Sequence, residues 1–222
     1  MMYLEKLAPL LSILDLSAAV VFAVTGALVA SRKQMDVIGF MWLAVVTGVG
    51  GGTVRDLLLD VPVFWVVDPS PVVICLIAAV VVHFTSHLIQ SRYILILWLD
   101  AFGMALVTVA GTAKGLDSGT GPVIAVVMGV ITASVGGIIR DILGQEASII
   151  LRREIYVTAS VLGACTYVLI FSFGPDRFAA ILGGLSVAFI ARILAITLGW
   201  SMPVFRSRPG RTLEEIERDT EN

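Results

Sequence analysis

Apolar residues in this chain come in long blocks, without the alternation of a half-buried strand or the single stripe of a surface helix. A helix crossing about 30 Å of hydrocarbon needs about 20 mostly apolar residues. Windows of that kind fit near residues 9–30, 37–58, 70–89, 93–113, 121–143, 155–173 and 178–200. Polar positions gather between them, in connectors as short as "SRKQMD" after the first window and "FGPDR" before the last. Such connectors leave no room for a water-soluble domain. The pattern predicts an all-α integral membrane protein: seven transmembrane helices packed as one domain over residues 1–205, then a polar tail at 206–222. The first block carries Asp15, has no small-residue cleavage site and recurs later in the chain, so it reads as a permanent helix and not as a signal peptide.

Composition agrees. Of 222 residues, 58% are hydrophobic and 14% charged, and the mean hydropathy is +0.97, too apolar for a domain with a wetted surface. A net charge of -2 argues against a nucleic-acid partner, and most of the acidic surplus lies in the terminal "EEIERDTEN". Cys75 and Cys165 fall inside predicted spans and read as small packing residues. His83 and His87 share one face of the third span, but no carboxylate or cysteine joins them there, so no metal site and no cofactor is expected. With no Ser-His-Asp set, HExxH motif or phosphate loop, the chain does not read as an enzyme.

Seven spans put the termini on opposite faces. With the N-terminus outside, the inner side receives Arg32, Lys33, Arg92, Arg152, Arg153, Arg206, Arg208 and Arg211, and the outer side only Lys6, Lys114 and Arg177. The excess of Lys and Arg predicts an inner-membrane protein with its N-terminus outside and its C-terminus cytoplasmic. The acidic loop "DVPVFWVVDP" fits the outer face, with Trp65 at the interface, and the basic start of the tail suits anionic inner-leaflet lipids.

One stretch works against its own helix. "GVGGGTVRDLLL", residues 48–59, places three glycines, an arginine and an aspartate at the end of an apolar block. Glycine weakens a helix and a charge in lipid is costly. The motif "GGTVRDLL" from Gly51 returns as "GGIIRDIL" from Gly136, and the same offset carries Asp15 onto Asp100, Gly26 onto Gly111, Thr47 onto Thr132, Arg55 onto Arg140 and Asp56 onto Asp141. Repeat one, about 10–90, thus maps onto repeat two, about 93–173, leaving the helix at about 178–200 as an extra. Two tandem units of three spans each cross the membrane in opposite senses, the inverted-repeat plan of many transport proteins.

Asp15 precedes Arg55 by the same interval as Asp100 precedes Arg140, so each repeat has an acid on its first helix within reach of an arginine on its second. Two readings stand for these charges: pairs that hold helices together, or groups bordering a water-filled path. The glycines also have two. Gly50, Gly51, Gly52, Gly136 and Gly137, with Thr47 and Thr132 one turn before, either break their helices and expose backbone to a path or allow close helix packing. Lys114 either snorkels to the interface or stands at a pore mouth as a gate. The small-residue stripes Ala19/Ala23/Ala27 and Ala180/Gly184/Ala188 serve either a subunit interface or packing within one chain.

At the duplicated "GGGTVRD" and "GGIIRD" motifs, the acids "LD" at 14–15 and 99–100 and the "PVFWVVDP" loop, the chain resembles the prokaryotic branch of the trimeric intracellular cation channel family, also labelled a glycine-transporter-type domain. The resemblance covers about residues 10 to 200. It implies a homotrimer with a pore in each subunit, second and fifth helices bent at their glycines, and passage of monovalent cations, chiefly potassium. The second motif departs from the first in having Val135 where the first has Gly50. The residues alone, with four acids and three arginines in the spans, favour cations without choosing among them. A secondary transporter of a small zwitterion such as glycine is the alternative.

The orientation is open to a direct test. A reporter active only in the cytoplasm, fused after Asn222, is expected to work, and one active only in the periplasm is expected to fail; the reverse result overturns the assigned topology.

Overall fold

The structure, a computed structural model, describes residues 2–89, 91–146, 155–174, 176–202 and 210, with side chains from residue 10 onward. Arg152, Arg153, Arg206, Arg208, Arg211 and all of the tail 206–222 except Gly210 lie outside the described residues, as does the side chain of Lys6. Among the described residues the regular elements are all helical: α1 (Met2–Arg32), α2 (Val37–Leu58), the short α3 (Phe64–Val67), α4 (Ser70–Thr85) with a 3-10 turn at Ser86–Leu88, α5 (Arg92–Asp117), α6 (Pro122–Leu143), α7 (Val157–Phe173) and α8 (Arg177–Leu198). Six stretches among them are long and apolar enough to cross a membrane: Leu10–Arg32, Val37–Leu58, Ser70–Leu88, Arg92–Asp117, Pro122–Leu143 and Arg177–Leu198. The expected window at 155–173 forms a helix of 17 residues, apolar but shorter than these six.

Local chemistry sets the boundaries. Asp36 caps α2 by accepting from Gly39 N at 2.7 Å, Asp176 caps α8 by accepting from Phe178 N and Ala179 N, and Pro122 opens α6 where no intrahelical donor is needed. Helix α8 ends on Gly199 at φ 64°, a left-handed stop open to glycine without strain. The turns echo the sequence duplication. After the first helix of each repeat Gln34 (φ 55°) and Gly119 (φ 80°) are left-handed, and after the second Asp60 (φ 54°) and Gln145 (φ 50°), each pair separated by the offset that relates the two motifs. Left-handed backbone is rare outside glycine, so its return at one offset shows two units built on the same local plan.

Helices α1 and α5 form the centre. α1 packs on α2, α4 and α5; α5 packs on α1, α6, α7 and α8. The N-terminal half of α1 and the C-terminal end of α5 line one cavity, while at the opposite end Arg32 of α1 lies 5.4 Å over the ring of Tyr93 of α5. The two helices are therefore antiparallel. Between helices the core is mostly small: Ala18, Ala19, Ala23, Ala27, Ala105, Ala110 and Ala188 are essentially inaccessible. Large apolar side chains such as Trp42, Ile77, Phe84, Phe173 and Ile190 face outward, the arrangement of a bundle solvated by lipid.

Both small-residue stripes lie inside the chain. A Cβ on Gly48 would sit 2.8 Å from Ala19 O and 3.5 Å from Ala23 Cβ, which puts the first stripe against α2. A Cβ on Gly184 would come within 2.9 Å of Gly163 O, which puts the second against α7. The expectation that the glycine runs break their helices needs correction. α2 and α6 are unbroken through Gly50, Gly51, Gly52, Gly136 and Gly137, and all five are buried. The physical reason lies where the two helices cross. A Cβ on Gly51 would collide with Thr132 O, and one on Gly136 would stand 2.7 Å from Thr47 O, so each glycine admits the other helix's backbone. Thr47 and Thr132 turn their hydroxyls back onto their own helices, to Leu43 O at 2.5 Å and Met128 O at 2.6 Å.

These contacts rank the glycines. Gly51→Ala and Gly136→Ala force apart a backbone-to-backbone crossing and are expected to cost about 1–3 kcal/mol, the usual range for overpacking. Gly137→Ala, whose nearest neighbour would be 3.7 Å away, is expected to be nearly silent. Thermal unfolding of detergent-purified variants measures the order; equal melting temperatures for all three would show that the crossing is not tight.

Candidate functional site: two buried charge clusters and an open cavity

Position and sequence bring the predicted intramembrane charges together in two clusters. In the first, Arg55 is fully buried near the C-terminus of α2 and forks onto Asp15 of α1, Nη1 to Oδ1 at 2.9 Å and Nη2 to Oδ2 at 3.2 Å, while its Nε donates to Asp56 Oδ1 at 2.8 Å. Asp56 also takes Lys114 Nζ of α5 at 2.7 Å and, on Oδ2, the backbone N–H of Phe64 at 2.9 Å. The loop before α4 is thereby pinned over the cluster: the Phe64 ring centre lies 5.8 Å from the Arg55 guanidinium carbon and against Gly52, and Trp65 Nε1 donates to Thr53 Oγ1 at 2.8 Å. Two acids meet two bases here, which makes it tolerable to bury Arg55 and Asp56 fully and Asp15 and Lys114 in part.

The second cluster lies at the opposite end. Arg140 Nη1 donates to Asp100 Oδ1 at 2.7 Å and to Thr25 Oγ1 at 3.0 Å, and Nε reaches Asp141 Oδ1 at 3.0 Å. Thr25 belongs to α1, so the arginine of the second repeat is tied to the first. Among the described residues Asp100 Oδ2 is buried without a hydrogen-bond donor. Gly137 stands behind the pair, where a Cβ would lie in ordinary contact, 3.7 Å from Arg140 Nη2 and 3.8 Å from Asp100 Oδ1.

The surroundings of the clusters differ. The first opens into a cavity of about 640 Å³ whose charged lining is Asp15, Asp68, Lys114, Asp117 and Arg177. Asp68, on the loop beside α4, accepts from the Ser70 hydroxyl at 2.6 Å and the Ser70 backbone N–H at 3.0 Å, which together hold its carboxyl below the usual carboxylate range. The second cluster adjoins a space of only about 20 Å³, lined by Tyr93, Leu97, Asp100, Arg140, Asp141 and Glu146 among others. The Lys114 ammonium turns to Asp56 on the wall of the cavity.

Sequence reasoning missed the Asp117–Arg177 ion pair on the cavity wall, where Arg177 Nε also donates to Tyr167 Oη at 3.3 Å. The available signal was that one charge closes an apolar block and the other opens the last. It also missed Thr25, which in a block of alanines and valines reads as filler. His83 sits edge-on between Phe40 and Phe84, at 4.8 and 5.1 Å, and no metal-holding cluster of His, Cys, Asp and Glu occurs among the described residues.

A bundle of long apolar helices with paired buried charges at both ends, and at one of them a cavity with charged groups in its wall, is the build of a polytopic membrane protein. The family model described as "Glycine transporter" matches residues 12–87 and again 97–172, two stretches related by the same offset as the motifs. The chain is 51% identical to the TRIC trimeric intracellular cation channel orthologue from Rhodobacter sphaeroides; its crystal structure superposes with a TM-score of 0.84, covering 86% of this chain and 99% of that one. A second solved chain, from work on the structural basis for conductance through TRIC cation channels, is 29% identical with a TM-score of 0.79 over 90% and 98% of the two chains. The chain is also 40% identical over 198 residues to the inner membrane protein YadS of Escherichia coli (strain K12), spanning 86% of this chain and 94% of YadS. The chain belongs to the trimeric intracellular cation channel family.

Breaking a buried pair by removing one partner costs about 3–5 kcal/mol. Asp100→Asn is expected to fall in that range, because Asp100 is inaccessible, and Asp15→Asn well below it, because its side chain is 18% exposed and water from the cavity reaches it. Unfolding temperatures of the two variants in the same detergent decide the order.

Proposed function

We propose that the chain is a passive channel for monovalent cations, chiefly potassium, with one pore in each subunit of a homotrimer. The observation that carries this reading is the cavity ending on the Asp15–Arg55–Asp56–Lys114 cluster, with a matching cluster around Arg140 at the other end of the same bundle. Channel-like paths need polar groups inside the bundle, and two clusters at opposite depths mark the ends of one. The second, with Asp100 and Asp141 around Arg140, holds one acid more than base, which favours a cation. The trimer and the choice of potassium rest on membership of the family.

The same reading takes Val157–Phe173 as a seventh span, since 17 residues is the short end of what crosses a bilayer. It makes residues 1–205 one membrane domain with a polar tail at 206–222. The antiparallel α1 and α5 support two repeats of opposite sense, about 10–90 and 93–173, plus an extra helix. The cavity then faces outside and the Arg140 cluster the cytoplasm. Thr47, Thr132 and the glycines at the α2–α6 crossing act as a closed waist between the clusters, and Lys114, seated on Asp56, acts as a gate at the outer mouth.

A second reading, a carrier for a zwitterion such as glycine, is favoured by one feature: the cavity presents Lys114 and Arg177 to a carboxylate and Asp15, Asp68 and Asp117 to an ammonium. Planar bilayers separate the two. Purified protein is expected to show unitary currents in potassium chloride, and Lys114→Gln to raise the current by removing a positive charge from the mouth. Saturable glycine uptake into vesicles without unitary currents would replace the channel by the carrier.

A further inference from the structure

The duplication allows each contact at one end of the bundle to be compared with its equivalent at the other, and one helix face is used in two ways. Thr25, Val29 and Arg32 follow one another at helical spacing and so share a face of α1. Each meets the end of α6 or the turn after it. Thr25 Oγ1 accepts from Arg140 Nη1 at 3.0 Å. Val29 covers Gly144, where a Cβ would be 2.6 Å from Val29 Cγ1. Arg32 Nη1 lies 3.0 and 3.1 Å from the two carboxylate oxygens of Glu146, and Lys33 Nζ donates to Gln145 O at 3.5 Å. Glu146 is in turn tied to the charge cluster, its N–H donating to Asp141 O at 2.8 Å.

The equivalent residues in the second repeat are Ala110, Lys114 and Asp117 of α5, and all three line the cavity of about 640 Å³. The groups equivalent to Arg140, Gly144 and Glu146 are Arg55, Leu59 and Val61. The turn after α2 therefore has neither a glycine at the place of Gly144 nor a carboxylate at the place of Glu146; the cation of this end, Lys114, is held by Asp56 on α2 itself. The alanine side chain at 110 has no oxygen to bind Arg55. Of two equivalent helix pairs, α1 with α6 is thus sealed where α5 with α2 borders the open cavity, and the space left at the sealed end, about 20 Å³, is room for about one water.

We infer that the Thr25–Val29–Arg32 face of α1, closed on Arg140, Gly144 and Glu146, is the gate at the end opposite the cavity. This rests on the pore running between the two clusters. An ion that reaches Asp100 and Arg140 from the cavity side leaves by parting α1 from the end of α6. The Arg32–Glu146 pair is the outermost contact, with side chains 34% and 12% exposed, and it is the first to be hydrated as the two separate.

The test uses Leu97, which lines the small space at the sealed end. Leu97→Cys is placed in a chain carrying Cys75→Ala and Cys165→Ser, and reconstituted protein is treated with a charged methanethiosulfonate from either face. Modification is expected to be slow in the parent and roughly two- to fivefold faster after Arg32→Gln or Glu146→Gln, the range that a partly exposed ion pair supports. The exchange Arg32→Glu with Glu146→Arg is expected to return it toward the parent rate. In bilayers the single variants should raise open probability with unit conductance unchanged, and Val29→Ala should do the same without altering any charge. A modification rate and open probability indifferent to all three single substitutions overturn the gate. A parent protein that passes no current, while Leu97→Cys still responds, overturns the pore reading.

Discussion

Two guanidinium groups buried in a lipid-solvated bundle are the constraint around which the other parts are arranged. Neither Arg55 nor Arg140 has water to stabilise it, so carboxylates must be brought from a neighbouring helix and from the next residue in the chain. That need fixes where α1 lies against α2 and where α5 lies against α6. It also gives a reason for two other glycines: carboxylate and guanidinium meet only if their helices approach closely, and Gly26 admits Leu43 O of α2 to α1 as Gly111 admits Met128 O of α6 to α5, while Gly51 and Gly136 let α2 and α6 touch backbone to backbone. Hydrophobic burial cannot supply this specificity, because lipid tails solvate an apolar side chain as well as a protein interior does.

Much of this was legible from residue order. Helix positions followed from block length, and the pairs Asp15–Arg55 and Asp100–Arg140 from their identical spacing, because a charge in a span must find a partner and a duplicated spacing marks one. What the glycines do was not legible. A glycine that breaks a helix and one that accommodates a neighbour leave the same letters, and it takes Thr132 O beside Gly51, within an uninterrupted α2, to show the second role. Contacts crossing from one repeat to the other were likewise hidden. Lys114 on Asp56 and Thr25 on Arg140 have no counterpart at the equivalent offset, so the duplication that exposed the other pairs concealed these.

Those exceptions carry the difference between the two ends. A perfectly duplicated chain would repeat the same contacts at both charge clusters. Here Thr25 faces Ala110 in the alignment of repeats, Val29 faces Lys114 and Gly144 faces Leu59, and the departures gather on one face of each central helix. The difference between the two ends is written in a few side chains.

The crossing of α2 and α6 constrains how the sequence can drift. A side chain at Gly51 would strike a carbonyl oxygen, and a carbonyl is present whatever residue occupies 132, so no second substitution there can make room. Gly52, by contrast, faces the ring of Phe64, and a smaller residue at 64 would relieve an alanine at 52. Of two adjacent glycines in one motif, one is therefore beyond genetic suppression at its contact and the other is not, and descendants of this chain can exchange Gly52 by a two-step route that is closed to Gly51.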